Sequence, residues 1–386
     1  MPHNVTTEMD LELWRVAERA AAHRALFLET PPEELAQQYR AGTLPDIGMD
    51  VFLERYGHRT AAEVDIGVPR WGDDPSPLFG TIANYLRVDD PEQAPPRRFA
   101  RAAQRAEAMI TEVDRRARRR RSLRGRLGVF LMRRARELAG LRELAKFAWL
   151  IPYWEMRRQL ILIGEDLATR GLLDDADDIM FLELPELRCA VTVGTDQRER
   201  VAERRAVHRR ELRRPQVPGL LLSDGTDVET LIPAPPPEQG AMVGMGAAPG
   251  RVSGRARVVH NPVGAYLEPG EILVTSTTDP GWTPLFMTAA GLVTETGSPI
   301  AHGPTVAREY GIPAVICLRE ATRRIRTGDR LTVDGTAGTV RLEDDVAGRD
   351  QGGVGRESGP APRQLHRRAD CPVSMKAAPA TPIRPR

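Results

Sequence analysis

Several residue types that would place this chain in a common class are scarce or missing. Three cysteines occur, Cys189, Cys317 and Cys371, far apart and without the paired spacing of a zinc site or a disulfide framework. Free thiols are the expectation. No apolar run is long enough to span a bilayer, and the stretch from Met1 to Glu8 has neither a basic cluster nor an apolar core that would direct secretion. A cytoplasmic location and no membrane partner are the expectations. Lysine is nearly missing, with Lys146 and Lys376 the two in 386 residues, which reads as a coding bias toward arginine. Basic and acidic residues nearly cancel, leaving a formal net charge of +2, so no global field favours nucleic acid. No segment pairs a Gly-rich loop with a following lysine and hydroxyl residue, so a phosphate cradle for ATP is also missing.

What is present is ordinary globular composition, 41% hydrophobic and 28% charged, with room for two or three domains. From Met9 to Glu29, Leu11, Trp14, Ala17, Ala21, Ala25 and Leu28 recur at helical spacing. Pro31 and Pro32 end that helix, and short helices are expected over 32–40 and 49–56. A further helix is expected over 99–126. It carries Arg115, Arg116, Arg118, Arg119, Arg120, Arg121, Arg124 and Arg126, which without an interleaved aromatic read as a solvated face rather than a nucleic-acid site. Residues 127–170 form a long helical stretch interrupted near Gly140 and again at Pro152, which removes a backbone donor. Its apolar content, including Leu138, Leu141, Leu144, Leu150, Ile151 and Met156, predicts burial against neighbouring helices, and Phe147, Trp149, Tyr153 and Trp154 are expected in a core. A polar peripheral helix is expected over 196–214.

After residue 214 the pattern changes. Six prolines between Pro215 and Pro237 predict a stiff linker over 215–240. Residues 241–343 alternate short strands, expected at 252–260, 271–275, 291–293, 314–317, 330–333 and 339–342, with one or two helices. Beyond 343 the chain is Gly, Pro, Ser and Arg, and residues 344–386 are predicted to be disordered. The fold class expected is therefore multidomain, a mostly α-helical region over 1–214 followed by an α/β domain.

Chemistry concentrates between Val293 and Ala314. A strand end runs into Thr294 to Ser298, the Gly297-Ser298-Pro299 run predicts an exposed turn, and a short helix from His302 stops at Gly311. A histidine at a helix N-terminus serves as a cap or hydrogen-bonded structural residue. It also suits phosphoryl transfer, because imidazole is a nucleophile near neutral pH and the helix end favours anionic oxygens. The sequence Thr296-Gly297-Ser298-Pro299-Ile300-Ala301-His302-Gly303-Pro304-Thr305-Val306-Ala307-Arg308 resembles the active-site signature of the phosphoenolpyruvate-utilising enzyme family. Pyruvate phosphate dikinase, phosphoenolpyruvate synthase and rifampin phosphotransferase are members. Gly244 to Val259 and Thr277 to Phe286 resemble other parts of the same mobile domain. The resemblance implies a swivelling β/β/α domain over 241–343, with His302 as the phosphorylated residue and Thr296, Gly297, Ser298 and Arg308 supporting its loop. Two positions depart from the pattern: Ser298 stands where a second glycine is usual, and Ala301 where Ser or Thr is usual.

Residues 52–75 are dense in polar groups. His58, Arg59, Glu63, Asp65 and Arg70 either tie a long loop down through ion pairs or contact substrate. The segment resembles the acceptor-binding region of the same family, which makes Arg59, Glu63, Asp65 and Arg70 candidate substrate residues. Residues 177–187 resemble a family stretch in which a short strand leads into a helix.

The family's ATP-grasp domain and C-terminal barrel have no counterpart in the 386 residues. The resemblance therefore implies that ATP and Mg are held on a partner ATP-grasp domain or subunit, with no metal ligands here, and that a covalent phosphoryl on His302 passes to a small-molecule acceptor. The alternative is a catalytically silent ligand- or partner-binding remnant.

Overall fold

The structure, a computed structural model, describes residues 3–119, 123–214, 221–226, 228–231, 241–262 and 265–343. Most of the expected linker and the whole expected tail lie outside the described residues. The helical region comprises α1 (Val5–Ala20), α2 (Arg24–Glu29), α3 (Pro32–Arg40), α4 (Met49–Tyr56), α5 (Ser76–Leu86), α6 (Pro95–Arg119), α7 (Leu123–Ala139), α8 (Arg142–Thr169), α9 (Leu184–Val193) and α10 (Arg198–Glu211). A one-turn α11 (Val228–Leu231) precedes the sheet.

Local chemistry sets the ends of these elements. The Asn4 side chain accepts from the Thr6 amide and starts α1, four residues earlier than the periodicity begins. A 3-10 turn at Ala21–His23 separates α1 from α2, so the single helix expected over 9–29 is two. Pro32 and Met49 open α3 and α4 where expected. Residues 177–181 are not a strand but part of a 3-10 helix, Ala176–Phe181, because Asp175 and Asp178 form a reciprocal capping box that holds this turn closed.

The centre of the helical region is α5, which sequence periodicity passes over. Leu78, Phe79, Ile82, Ala83, Tyr85 and Leu86 are all buried, and the less buried face carries Pro77, Gly80 and Thr81 rather than charges, so the apolar stripe has little contrast. It packs on α1, α2 and α3, with the Phe79 ring 6.3 Å from that of Phe27.

The expectation for α8 needs two corrections. It runs unbroken through Pro152, whose exposed position leaves the freed carbonyl of the preceding turn open to water. Nor is most of its apolar content buried: Leu150 and Leu167 are, but Leu144, Trp149, Ile151, Met156 and Leu162 are exposed, as are Leu138 and Leu141 just before it. Contact runs along one seam, with Glu143, Leu150, Arg157 and Gly164 buried at seven-residue spacing. The other faces have no packing partner among the described residues. Of the aromatics expected in a core, Trp149 stacks on Tyr153 at 4.5 Å on the surface, while Phe147 reaches inward to His58 at 4.6 Å. On α6, Arg115 and Arg116 pair with Glu112, and Arg118 with Asp114, the arrangement of a solvated face.

His58 sits among these buried groups. Burial, and then the neighbouring Arg59 charge, lowers it to about 4 from an ordinary value of 6.5. The unfolded chain thus binds a proton between those values that the fold refuses, so stability falls as pH drops from 6.5 to about 4. His58→Gln is expected to flatten this part of the pH dependence of the urea midpoint; an unchanged slope would place the titration elsewhere.

The α/β region contains β1 (Met242–Val243), β2 (Met245–Ala248), β3 (Arg251–Val258), β4 (Ile272–Thr275), α12 (Thr283–Thr288), β5 (Gly291–Thr294), α13 (His302–Tyr310), β6 (Ala314–Ile316), α14 (Ala321–Arg324), β7 (Arg330–Asp334) and β8 (Thr339–Leu342). The eight strands form one sheet in the order β1-β8-β7-β3-β4-β5-β6-β2. β3 to β6 are parallel neighbours, whereas β7, β8, β1 and β2 add on antiparallel. One sheet face covers Ile272, Val274, Val293 and Val315 with the α14 side. The other carries α12 and α13, and its apolar residues merge with the helical core into a single cluster holding Leu13, Phe79, Phe286, Val306 and Tyr310. Residues 1–344 accordingly form one compact unit.

Candidate functional site

The site begins where β5 ends. The Thr294 hydroxyl donates to the Thr296 carbonyl at 2.7 Å, and the Thr296 hydroxyl donates to the Ser276 carbonyl at 3.0 Å, so the chain leaving the sheet is pinned to the loop after β4. Gly297 has φ of 144°, a conformation that side chains resist, and it turns the chain outward. The Ser298 hydroxyl accepts from the Ile300 amide at 3.3 Å. Ala301 occupies the N-cap of α13 with no side-chain acceptor, and His302 is the first helical residue. Arg308 braces the far end, donating to the Ala247 carbonyl at 2.7 Å and to the Thr305 hydroxyl at 3.3 Å.

The departure at Ala301 is therefore a missing cap. Ala301→Ser is expected to stabilise the protein by about 1 kcal/mol, with the Gly303 amide as donor because Pro304 has none. A urea midpoint equal to wild type would show that this amide already has a partner.

The imidazole is held by two elements. Its Nε2 lies 2.8 Å from the Thr283 hydroxyl at the start of α12. Its Nδ1 lies 3.7 Å from a Glu143 carboxylate oxygen on α8, an electrostatic contact longer than a hydrogen bond. The His302 contact, with Arg142 beside it, holds Glu143 at about 2, well below the usual carboxylate range. A carboxylate facing Nδ1 favours the tautomer protonated there, which leaves the lone pair on Nε2, beside the Thr283 hydroxyl.

Glu143 belongs to a charged group on one side of α8. Arg142 donates to the Ile300 carbonyl in the histidine loop, and Lys146 lies 2.8 Å from Glu63. None of Arg142, Glu143, Lys146 or Thr283 stands out in the sequence. The available signal was three charges within five residues at the start of α8, one of them a lysine in a chain with two.

The candidate residues of the 57–75 loop separate into two groups. Arg59 and Glu63 form a buried ion pair at 2.6 Å, which reaches Lys146 and through it the site. Asp65 is exposed and accepts from the Gly67 amide at 2.8 Å, while the Asp65 carbonyl accepts from Arg70 at 3.1 Å. Arg70 is fully buried, with its guanidinium 5.7 Å from the Tyr153 ring, and its charge faces Glu63.

The histidine region rests on the helical region at several points. Asp279 accepts from the Ala62 amide at 2.9 Å. Glu309, also on α13, accepts from Asn4 at 2.9 Å and from the Thr7 hydroxyl. Arg98 donates to the Met287 and Ala289 carbonyls, each at 2.9 Å. Together these hold His302 over the charged side of α8.

Among the described residues no helix is long and apolar enough to cross a membrane, and no three His, Cys, Asp or Glu side chains gather to hold a metal ion.

Residues 1–143 match the rifampicin phosphotransferase fourth domain, and residues 267–338 match the PEP-utilising enzyme mobile domain. A rifampicin phosphotransferase of Streptomyces sp is 36% identical over 88% of this chain and 40% of its own length. That of Bacillus cereus is 34% identical over the same shares. A prodigiosin synthesizing transferase of Serratia marcescens is 30% identical over 86% of this chain and 38% of its own. The chain spans about two fifths of the length of these relatives. Residues 267–338 therefore belong to the PEP-utilising enzyme mobile domain family, and residues 1–143 to the rifampicin phosphotransferase fourth domain family.

Proposed function

We propose that this chain is the phosphohistidine-carrying and acceptor-side part of an ATP-dependent phosphotransferase. The Nε2 lone pair of His302 forms a bond to phosphorus as the P–O bond to the nucleotide breaks, on an ATP-grasp domain or subunit that holds ATP and magnesium. The segment over 215–240 then carries the 241–343 domain back to the helical region, in the arrangement described above. There an acceptor hydroxyl attacks phosphorus, the N–P bond breaks, its electron pair returns to Nε2, and the hydroxyl proton leaves to solvent. Two in-line transfers replace one, so the chain need only position the group and neutralise its oxygens.

The single observation that carries this reading is the imidazole between Glu143 and Thr283 at the first residue of α13. Arg142 and Lys146 supply the positive charge for the phosphoryl oxygens. The acceptor in this reading has a hydroxyl on a large apolar body. Exposed Ile300 on the histidine loop and exposed Leu138, Leu141 and Leu144 beside Arg142 offer it a surface, and two of the relatives above are named for rifampicin.

The test is autonomy. The purified chain with ATP and magnesium alone is expected to show neither tight nucleotide binding nor turnover, and to take up phosphoryl once a matching ATP-grasp protein is added. Robust hydrolysis by the chain alone would sink the split arrangement and require a nucleotide site within it.

A further inference from the structure

We propose that Glu63, clamped by Arg59, is a positioning residue that holds the Lys146 ammonium in the phosphoryl-transfer site, so that the loop around Arg59 serves the reaction through Lys146. The inference rests on the phosphohistidine reading above and assigns to these two loop residues a role other than touching the acceptor.

The first argument is energetic. Arg59 and Glu63 are 3% and 1% exposed, and they meet in a two-pronged contact, Arg59 Nε to Glu63 Oε2 at 2.6 Å and Nη2 to Oε1 at 3.2 Å. Taking such a pair out of water costs more than packing two apolar side chains in the same volume. Fixing the loop does not by itself require charge there.

The second argument is charge balance. Arg59 alone neutralises Glu63, yet Glu63 Oε1 also takes Lys146 Nζ at 2.8 Å. Of the two cations on Glu63, Lys146 is the one that reaches the surface, at 34% side-chain exposure, and Asp279 and the buried Arg70 also lie in the field of this group. Against burial, which raises it, Arg59 and then Lys146 hold Glu63 below the usual carboxylate range, so the carboxylate stays charged. An ammonium fixed at one end and open at the other suits an incoming phosphoryl anion.

The third argument is place. Lys146 lies one turn along α8 from Glu143, which faces His302. The loop holding it is the one on which the histidine region rests, through the bond from Ala62 to Asp279 and the approach of Gly281 to Ala61. Ala62 takes a left-handed φ of 54° there. The lysine is thus fixed where His302 arrives.

Two measurements on the full chain test this. In the first, phosphoramidate serves as a small phosphoryl donor, and phosphohistidine at His302 is followed by mass spectrometry. Lys146→Met is expected to slow labelling about tenfold, and Glu63→Gln about equally, with the double variant no slower than either. Because Glu63→Gln leaves Arg59 buried without its partner and can cost folding, Arg59→Met/Glu63→Met is the second variant. It removes the pair together, and it is expected to stay folded by circular dichroism while labelling as slowly as Lys146→Met. Wild-type labelling in that folded variant would overturn the proposal, as would additive effects in the Glu63→Gln/Lys146→Met double variant.

The second measurement does not use phosphoryl transfer. Acylation of Lys146 by acetic anhydride, read on its own peptide, is expected to rise about tenfold in Arg59→Met/Glu63→Met. An unchanged rate would overturn the positioning role. Absence of phosphoryl on wild-type His302 would instead overturn the phosphohistidine reading beneath it, and the acylation rate would still decide whether Glu63 holds the ammonium.

Discussion

His302→Ala is expected to abolish phosphoryl uptake, lowering its rate by at least about 10⁴-fold, because the substitution removes the nucleophile and leaves no neighbouring group able to replace it. Thr283 and Glu143 face the imidazole, and neither is a nucleophile of comparable strength near neutral pH. The bond expected in wild type is a phosphoramidate, labile in acid and stable in base, unlike a phosphoserine or an acyl phosphate. Incubation with ATP, magnesium and a matching ATP-grasp protein, followed by acid and base treatment and peptide mapping, reads this directly. Phosphate that persists in His302→Ala, or maps elsewhere, would show that the relay residue is misassigned.

Gly281→Val is expected to leave phosphoryl uptake from the donor intact while cutting transfer to the acceptor by about 10²-fold or more. A side chain at this position has nowhere to go. A Cβ would lie 2.3 Å from the Ala61 Cα and 2.6 Å from its nitrogen, so backbone must separate from backbone. The Asp279 bond to Ala62 at 2.9 Å would open with it. Displacement of reacting groups by about an ångström costs on the order of 10² in rate, and here the whole histidine region is displaced from α8. Hydrogen exchange at the Ala62 amide gives an independent reading, since it should lose protection in the variant. Wild-type exchange together with wild-type transfer would show that this contact does not govern docking.

The sheet region was largely legible from residue order. Strands at 272–275, 291–294, 314–316, 330–334 and 339–342 fall within a residue of their expected places, because short β-branched runs bounded by Gly, Pro and Asp carry their own limits. The Gly297 turn and the helix between His302 and Gly311 were legible for the same reason, as was the helix opening at Pro32. In each case the determining chemistry lies within a few residues.

What only the tertiary structure decided has the opposite character. The buried helix α5 leaves only a weak stripe in the sequence, because its less buried face carries Pro77, Gly80 and Thr81 and no charge. The exposure of Leu144, Trp149, Ile151 and Met156 on α8 depends on which faces meet a partner, which apolar content does not encode. Above all, the site is assembled from distant segments. His302 meets Glu143 across 159 positions of sequence and Thr283 across 19, and Lys146 is held by a carboxylate 83 positions earlier. Pairing over such separations leaves no local period or spacing; it follows from the docking of α12 and α13 onto the helical core, where apolar burial brings together charged groups that residue order keeps apart.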